Sequence, residues 1–241
     1  MNSLLKTARL AGAGYIIIFI SGIFANFLVL ENIVVPGDAN ATVVNIESNA
    51  FLFRIGILSF IIMVIADLIV AWALYLIFKP VNKNISLLAA WLRLVNATIF
   101  GVALVNLFNV LHIVKGASYF SAIDSNLLHA QIMLFFEAFN NTWLLGLIFF
   151  GFHLFVLSYL IIKSNYLPKL IGLILTLAAF GYLIDSFAQF LLPNYADYKD
   201  IFMLIVIVPG VIGELSLALW LLIKCVDQTA TLTKSDTLTY N

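Results

Sequence analysis

Four ionisable residues lie inside long apolar segments of the chain, where a lone charge is costly. They are Asp67, Arg93, His153 and Glu214, and each belongs to a different segment. At about 1.5 Å per helical residue, three of them fall near the middle of their segments and Arg93 falls somewhat to one side. Placing a lone charge at the centre of a bilayer costs roughly 3 kcal/mol or more. We therefore expect these four residues to meet in one polar centre, which could bind a small molecule or exchange protons.

A second set of polar residues lies nearer the ends of the apolar segments. Its candidate members are Arg54, Asn109, His112, Glu137 and Asp185, accompanied by Asn106 and Asn140. The same residue count places all of them in the outer half of their segments, next to water. This outer cluster is the second candidate site.

Both sets also have a purely structural interpretation. An ion pair between Arg93 and either Asp67 or Glu214 would satisfy buried charges and specify how the helices pack. The same holds for Arg54 and the carboxylates of the outer cluster. In that case, neither set would bind a ligand.

Motifs for metal binding and for common enzymes are absent from the sequence. His112, His153 and the candidate carboxylates could ligate zinc, but no His-x-x-x-His, Glu-x-x-His or cysteine pair supports a site. There is also no nucleophile elbow, no phosphate-binding loop and no dinucleotide fingerprint. We therefore expect no metal and no other cofactor.

Membrane helices are the elements that must hold these residues, because 63% of the 241 residues are apolar and only 10% are charged. A water-soluble domain needs more polar surface than this. Six segments approach the roughly 20 apolar residues that cross a bilayer. They lie at residues 11–30, 54–78, 85–113, 141–163, 169–191 and 201–224. The sequence predicts an all-α polytopic membrane protein, with one six-helix domain over residues 1–225 and a flexible cytoplasmic tail at 226–241.

The first of two outer-surface segments is predicted at residues 31–53. Asp38 is a candidate N-cap for a short helix over residues 38–52. Val43 and Ile46 share one side of this helix, which is expected to lie on the membrane surface as a lid or a brace.

The second outer-surface segment is predicted at residues 114–140. A single helix over residues 126–163 would measure about 57 Å, which is far more than a bilayer requires. We therefore expect a break near residues 140–142, with an outer-leaflet helix at 126–139.

The distribution of lysine and arginine predicts that both termini are cytoplasmic. With the N-terminus inside, cytoplasmic segment ends carry Lys6, Arg9, Lys79, Lys83, Lys163, Lys169, Lys224 and Lys234, whereas outer ends carry Arg54, Lys115 and Lys199. This asymmetry follows the positive-inside rule. The expected location is the plasma (inner) membrane.

The chain also suggests an internal repeat. Residues 73–79, 157–163 and 218–224 each end with an aromatic residue followed four positions later by lysine. Three repeated helical hairpins would produce this pattern. Membrane interfaces favour aromatic residues and lysine in any case, so the pattern has a second explanation.

Short motifs along the chain resemble a known family. They are Val35-Pro36-Gly37-Asp38-Ala39, Phe53-Arg54-Ile55-Gly56, Lys79-Pro80-Val81-Asn82, Leu92-Arg93-Leu94, Phe150-Gly151-Phe152-His153-Leu154, Gly181-Tyr182-Leu183-Ile184-Asp185 and Gly213-Glu214. The pattern resembles the bacterial integral membrane family catalogued as domain of unknown function 4386, over nearly all of residues 9–225. The resemblance implies a six-helix module of prokaryotic type and brings no activity, cofactor or catalytic residue.

Three functions remain open from the sequence. The leading hypothesis is small-molecule or lipid binding or transport through the polar centre. The first alternative is an intramembrane hydrolase, with or without a bound metal ion. Its candidate metal ligands or acid/base groups are His112, His153, Asp185 and Glu214. The second alternative is a non-catalytic assembly or sensor protein.

Composition also bears on the partners. The 12 basic and 12 acidic side chains cancel, so the chain has no basic field for binding nucleic acid. Membrane lipids and a small-molecule ligand are the expected partners. A homodimer is also expected, because six helices are few for a monomeric transporter.

Overall fold

The computed structural model describes residues 2–116 and 123–224, and the regular structure of these residues is entirely helical. The elements are α1 (Asn2–Ile23), a π-helical segment (Phe24–Leu30), α2 (Glu31–Ile33), α3 (Ala39–Ser48), α4 (Ala50–Phe78), α5 (Lys83–Val114), α6 (Ser125–Lys163), α7 (Lys169–Leu191), a 3₁₀ turn (Tyr195–Tyr198) and α8 (Lys199–Ile223). The predicted tail at 226–241 lies outside the described residues.

Six helical stretches are long and apolar enough to cross a membrane. They are Leu4–Ile33, Ala50–Phe78, Lys83–Val114, Ser125–Lys163, Lys169–Leu191 and Tyr195–Ile223. Large apolar side chains face outward along them; Ile20 is 64% exposed and Leu170 is 66% exposed. Lipid tails can cover such side chains, whereas water could not do so without a large cost in free energy. The predicted all-α polytopic membrane fold with six spans is confirmed.

A tight turn joins α4 to α5 at residues 79–82, where Pro80 and Asn82 are typical turn residues. Pro80 follows the end of α4, and the Asn82 side chain accepts a hydrogen bond from the backbone N–H of Ile85 at 3.0 Å. This side chain satisfies one of the free N–H groups in the first turn of α5. The Ser86 hydroxyl also donates to the Tyr75 carbonyl oxygen at 3.0 Å, which fastens α5 to α4.

The connection from α6 to α7 folds back onto the end of α4. The Tyr166 hydroxyl donates to the Ile77 carbonyl oxygen at 2.8 Å, and its ring stacks on Phe78 with centroids 6.2 Å apart. Burial raises the pKa of the Tyr166 phenol. This one side chain therefore positions the short loop between the two helices.

The helix predicted over residues 38–52 is present as the shorter α3, which ends at Ser48 before α4 begins at Ala50. Its position on the membrane surface stays a prediction. Asp38 is its N-cap, and the carboxylate accepts a hydrogen bond from the Ala41 N–H at 2.9 Å. Gly37 has a φ of +79° in the preceding turn, a conformation that favours glycine. Val43 and Ile46 are buried, as their spacing predicts.

The predicted break near residues 140–142 is wrong, because α6 is continuous over its 39 residues. No proline or glycine interrupts the helix there, and the Thr142 hydroxyl donates within the helix to the Ala138 carbonyl at 2.7 Å. Apolar packing also continues through the segment; the rings of Phe139 and Trp143 lie 5.7 Å and 5.1 Å from Phe60. The buried face therefore favours one helix despite its length.

The described chain divides into two compact units. The first unit contains residues 2–16, 67–96 and 147–224, and the second contains residues 17–66, 97–116 and 123–146. Helices α1, α4, α5 and α6 contribute residues to both. The single domain over residues 1–225 and the three repeated hairpins remain predictions.

Candidate functional site

The polar centre lies in the first unit, and four helices supply its side chains. Asp67 comes from α4, Arg93 from α5, His153 from α6 and Glu214 from α8. Arg93 and His153 have no exposed surface, and Asp67 is also buried. Buried charges of this kind must find partners within the protein.

Arg93 is the hub of the polar centre. Its Nη2 atom lies 2.6 Å from Asp67 Oδ1, which makes a buried ion pair. Its Nη1 atom donates to the Tyr15 hydroxyl at 3.1 Å and lies 3.2 Å from His153 Nε2. The Nε atom is buried and has no hydrogen-bond partner within residues 2–116 and 123–224. Arg93 therefore joins α1, α4 and α6 to α5 and leaves its Nε–H unused.

The hydrogen bonds of His153 define its tautomer. Nδ1 lies 2.8 Å from the Ala89 carbonyl oxygen, which can only accept, so Nδ1 carries a proton. Nε2 then lacks a proton and accepts from Arg93. His153 is therefore a neutral ring that holds the guanidinium in position, because a second proton would point at a cation.

Aromatic rings enclose the guanidinium. Its central carbon lies 4.8 Å from the centroid of Tyr15 and 5.5 Å from that of Phe150. Phe150 also meets the Tyr182 ring edge to face, with centroids 5.1 Å apart. These rings exclude lipid and water from the charge and contribute cation–π attraction.

Glu214 is the second carboxyl group of the polar centre. It interacts electrostatically with Arg93 and Asp67, but among the described residues no hydrogen bond or ion pair joins it to either of them. Unlike Asp67, it is only partly buried. It follows Pro209, which lies inside α8 and removes one hydrogen bond from the helix. The centre thus combines one cation with two carboxyl groups, and the second lies beside a weakened part of its helix.

The sequence analysis missed Tyr15 and Phe150 as members of the site. Tyr15 is buried and contacts Arg93 both by its hydroxyl and by its ring. A tyrosine one turn inside an apolar segment, whose hydroxyl needs a hydrogen-bond partner there, was a usable signal for Tyr15. For Phe150, no signal distinguishes this ring from the other 20 phenylalanines of the chain.

Asp185 has a local role at the end of α7 in the first unit. One of its carboxylate oxygens accepts from the Tyr195 hydroxyl at 2.6 Å, and the other accepts from the Gln189 side chain at 2.9 Å. Tyr195 also stacks on Phe202 with centroids 5.4 Å apart. Asp185 thus holds the connection between α7 and α8.

The other outer-cluster candidates belong to the second unit. Arg54, His112 and Glu137 are exposed, and Asn109 is partly buried. Arg54 lines a cavity together with Glu47 and residues at the end of α5, but Asn109, His112 and Glu137 do not line it. The second unit therefore offers a site at Arg54 rather than one shared by all four residues.

A metal site does not assemble from the candidate ligands. Within residues 2–116 and 123–224, no three His, Cys, Asp or Glu side chains form a group that could hold a metal ion. The ligand set of the metal-dependent hydrolase hypothesis, His112, His153, Asp185 and Glu214, is therefore not brought together. Within the centre, both nitrogens of His153 are already engaged.

Comparison with known proteins identifies a family and a relative that are similar to this chain. The family described as "Domain of unknown function (DUF4386)" matches residues 10–225. A protein from the archaeon Archaeoglobus fulgidus, described as "Uncharacterized protein", is 33% identical over 168 residues, which are 70% of this chain and 82% of that protein. No solved structure matches the chain. Relatives of the chain are therefore not confined to bacteria.

Proposed function

Because the chain belongs to the family described as domain of unknown function (DUF4386), a description that names no reaction, we propose a function from the polar centre itself. The chain binds a small molecule at Arg93 within the membrane and couples its binding or transport to proton exchange at Glu214. The ligand carries an anionic or hydrogen-bond-accepting group, because the free group at the centre is a donor.

The unused N–H group of Arg93 carries this proposal. A buried ion pair that only holds helices together is expected to have its hydrogen-bonding groups satisfied, since an unmet buried donor costs roughly 1–3 kcal/mol. Arg93 is fully buried and donates to Tyr15 and Asp67, yet its Nε–H meets no acceptor among the residues that the structure describes. An acceptor group on a ligand would remove this cost.

Glu214 is the group best suited to exchange the proton. Asp67 is already paired with Arg93, and His153 cannot take a proton at Nε2 without losing its bond to Arg93. Glu214 is partly exposed and close to both charges. Adding a proton to Glu214 changes the charge of the centre by one, which alters its affinity for a charged ligand.

Access to the centre requires movement, because Arg93 has no exposed surface. Pro209 removes one hydrogen bond from α8, which is continuous over Lys199–Ile223, and it lies five residues before Glu214. Bending of the helix there would displace the carboxyl group. A helix that can bend beside the site supports transport over simple storage of a ligand.

We further propose that the protein resides in the plasma membrane with both termini in the cytoplasm and acts as a homodimer among membrane lipids. The support is the excess of lysine and arginine at the ends predicted to be cytoplasmic. Six spans are also few for a transporter working alone.

The test compares ligands that co-purify with four proteins. Wild type, Arg93→Lys, Glu214→Gln and the control Glu137→Gln are purified in the same mild detergent and analysed by native mass spectrometry. Glu137 is an exposed carboxylate of the second unit, so its variant controls for the loss of a charge. We expect one small molecule with wild type and the control, and roughly tenfold less or none with Arg93→Lys, since one charge-assisted hydrogen bond is worth about 1.5–3 kcal/mol. Glu214→Gln should keep the ligand, because it removes a negative charge beside an acceptor group, but its ligand content should no longer change with pH as that of wild type does.

The unfolding midpoint of each variant must be measured in parallel. Equal ligand content in all four proteins, or no ligand with wild type, would contradict the proposal. Loss of stability without any effect on a ligand would instead favour the assembly or sensor function. Stoichiometric zinc, detected by elemental mass spectrometry and lost on substituting His153, would favour the hydrolase.

A further inference from the structure

The second unit contains a cavity that the polar centre does not use. Its volume is about 220 Å³, and it lies between α3, the start of α4 and the end of α5. Arg54 and Lys115 contribute two cationic groups to its lining, and Glu47 contributes one carboxylate. Ile46, Leu111 and Val114 supply an apolar wall. This combination of charges and apolar surface suits an amphiphilic ligand.

The connectivity places the cavity at one surface of the membrane. Helices α4 and α5 are consecutive spans, and only residues 79–82 separate them. Their other ends, at Ala50 and Val114, must therefore reach the opposite membrane surface. The cavity lies beside both of these ends. Its charged groups are thus at headgroup level, next to the hydrocarbon.

Local structure holds Lys115 at the end of α5. Gly116 has a φ of +62°, and its N–H donates to the Ile113 carbonyl at 2.9 Å. The Lys115 N–H donates to the Leu111 carbonyl at 3.1 Å. A glycine in this conformation terminates a helix, so Lys115 is the last residue before the chain turns away.

The two cations are available to a ligand. Arg54 and Lys115 are both exposed, and neither forms an ion pair among the residues that the structure describes. Together with Glu47 they leave the lining with an excess of one positive charge. Arginine binds phosphate through two parallel N–H groups, and lysine adds a point charge.

We propose that this cavity binds the phosphate of an anionic phospholipid. Arg54 and Lys115 contact the phosphate, and the first part of an acyl chain lies along Ile46, Leu111 and Val114. The apolar wall and the position at the membrane surface favour a lipid over free phosphate. Glu47 opposes the negative headgroup and keeps the affinity moderate.

The experiment measures lipid retention by native mass spectrometry. Wild type in mild detergent receives phosphatidylglycerol or phosphatidylcholine with the same acyl chains, and the adducts are counted. The double variant Arg54→Gln/Lys115→Gln is compared with Arg9→Gln/Lys83→Gln, which removes two exposed cations of the first unit. Wild type and the control are expected to prefer phosphatidylglycerol, and the first double variant to lose roughly thirtyfold in retention, since each basic residue near anionic lipid is worth about 1 kcal/mol.

Two further measurements sharpen this test. Glu47→Gln should increase retention of phosphatidylglycerol, because it removes the repulsive carboxylate. The proposal is overturned if the two double variants retain the lipid equally, or if inorganic phosphate displaces the lipid as well as added phosphatidylglycerol does. The outcome does not depend on the polar centre, since no residue of that centre is changed.

Discussion

One arginine organises the polar centre at the scale of single residues. The Arg93 side chain connects residues 78 and 60 positions away in sequence, Tyr15 and His153, and pairs with Asp67. Each contact satisfies a polar group that would otherwise be costly in this apolar environment. Removing one partner leaves a buried charge without its counter-charge. Single substitutions in the polar centre should therefore strongly lower the stability of the folded protein.

Asp67→Asn should destabilise the folded protein more than any exposed carboxylate variant. The change keeps the size of the side chain but leaves the buried guanidinium without its counter-charge, which costs about 3–5 kcal/mol. Denaturant unfolding in detergent micelles measures the free energy of unfolding. Asp200→Asn, at an exposed position of α8, is the control. Equal effects of the two changes would show that the ion pair contributes little.

Close contact between α7 and α8 is the main feature at the scale of elements. Pro209 has no N–H, so the carbonyl of Ile205 lacks its usual partner within α8. Gly181 of α7 lies against this carbonyl; a Cβ atom added to Gly181 would be 2.6 Å from the Ile205 oxygen. The glycine thus allows α7 to pack closely beside the part of α8 that lacks this hydrogen bond.

Gly181→Ala should therefore lower the free energy of unfolding by about 1–3 kcal/mol, the usual cost of overpacking. The contact is with backbone, which cannot rotate away. Gly101→Ala is a matched control, because Gly101 is also within a helix and a Cβ there meets no atom within 4 Å. The control should be neutral or slightly stabilising, since alanine favours helix over glycine. Thermal unfolding of both variants distinguishes the two cases, and equal midpoints would contradict the close packing.

At the scale of the whole molecule, the six spans found among the described residues bring the start of the first span and the end of the last to the same side of the membrane. The charge distribution predicts that this side is the cytoplasm. Helix α3 and the cavity at Arg54 are then predicted to face the outside.

Labelling of single cysteines with a membrane-impermeant maleimide tests this orientation. Cys225 is the single cysteine of the chain and follows the last span. It should react in inverted membrane vesicles and stay unreacted in intact cells. In the variant Cys225→Ser/Ser48→Cys, the exposed α3 position should show the opposite pattern. Reaction of Cys225 in intact cells would reverse the proposed topology.

The sequence by itself determined the spans, the turn at 79–82 and the cap at Asp38. These features depend on local hydrophobicity and on hydrogen bonds within one segment, because a helix in lipid satisfies its own backbone. It also singled out Asp67, Arg93 and His153, since charges and histidines in apolar segments are costly enough to require a reason. Segment length was less reliable for α6, because a helix longer than a bilayer requires suggested a break that the packing of Trp143 overrides.

Only the tertiary structure decided which groups meet. It pairs Arg93 with Asp67, adds Tyr15 to the centre and fixes His153 as a neutral ring against the Ala89 carbonyl. It also shows that Asp185 accepts hydrogen bonds from Tyr195 and Gln189. Depth along a helix can be counted from the sequence, but rotation about the helix axis and the choice of neighbours cannot. Those depend on packing between segments far apart in the chain, where several pairings satisfy the same charges.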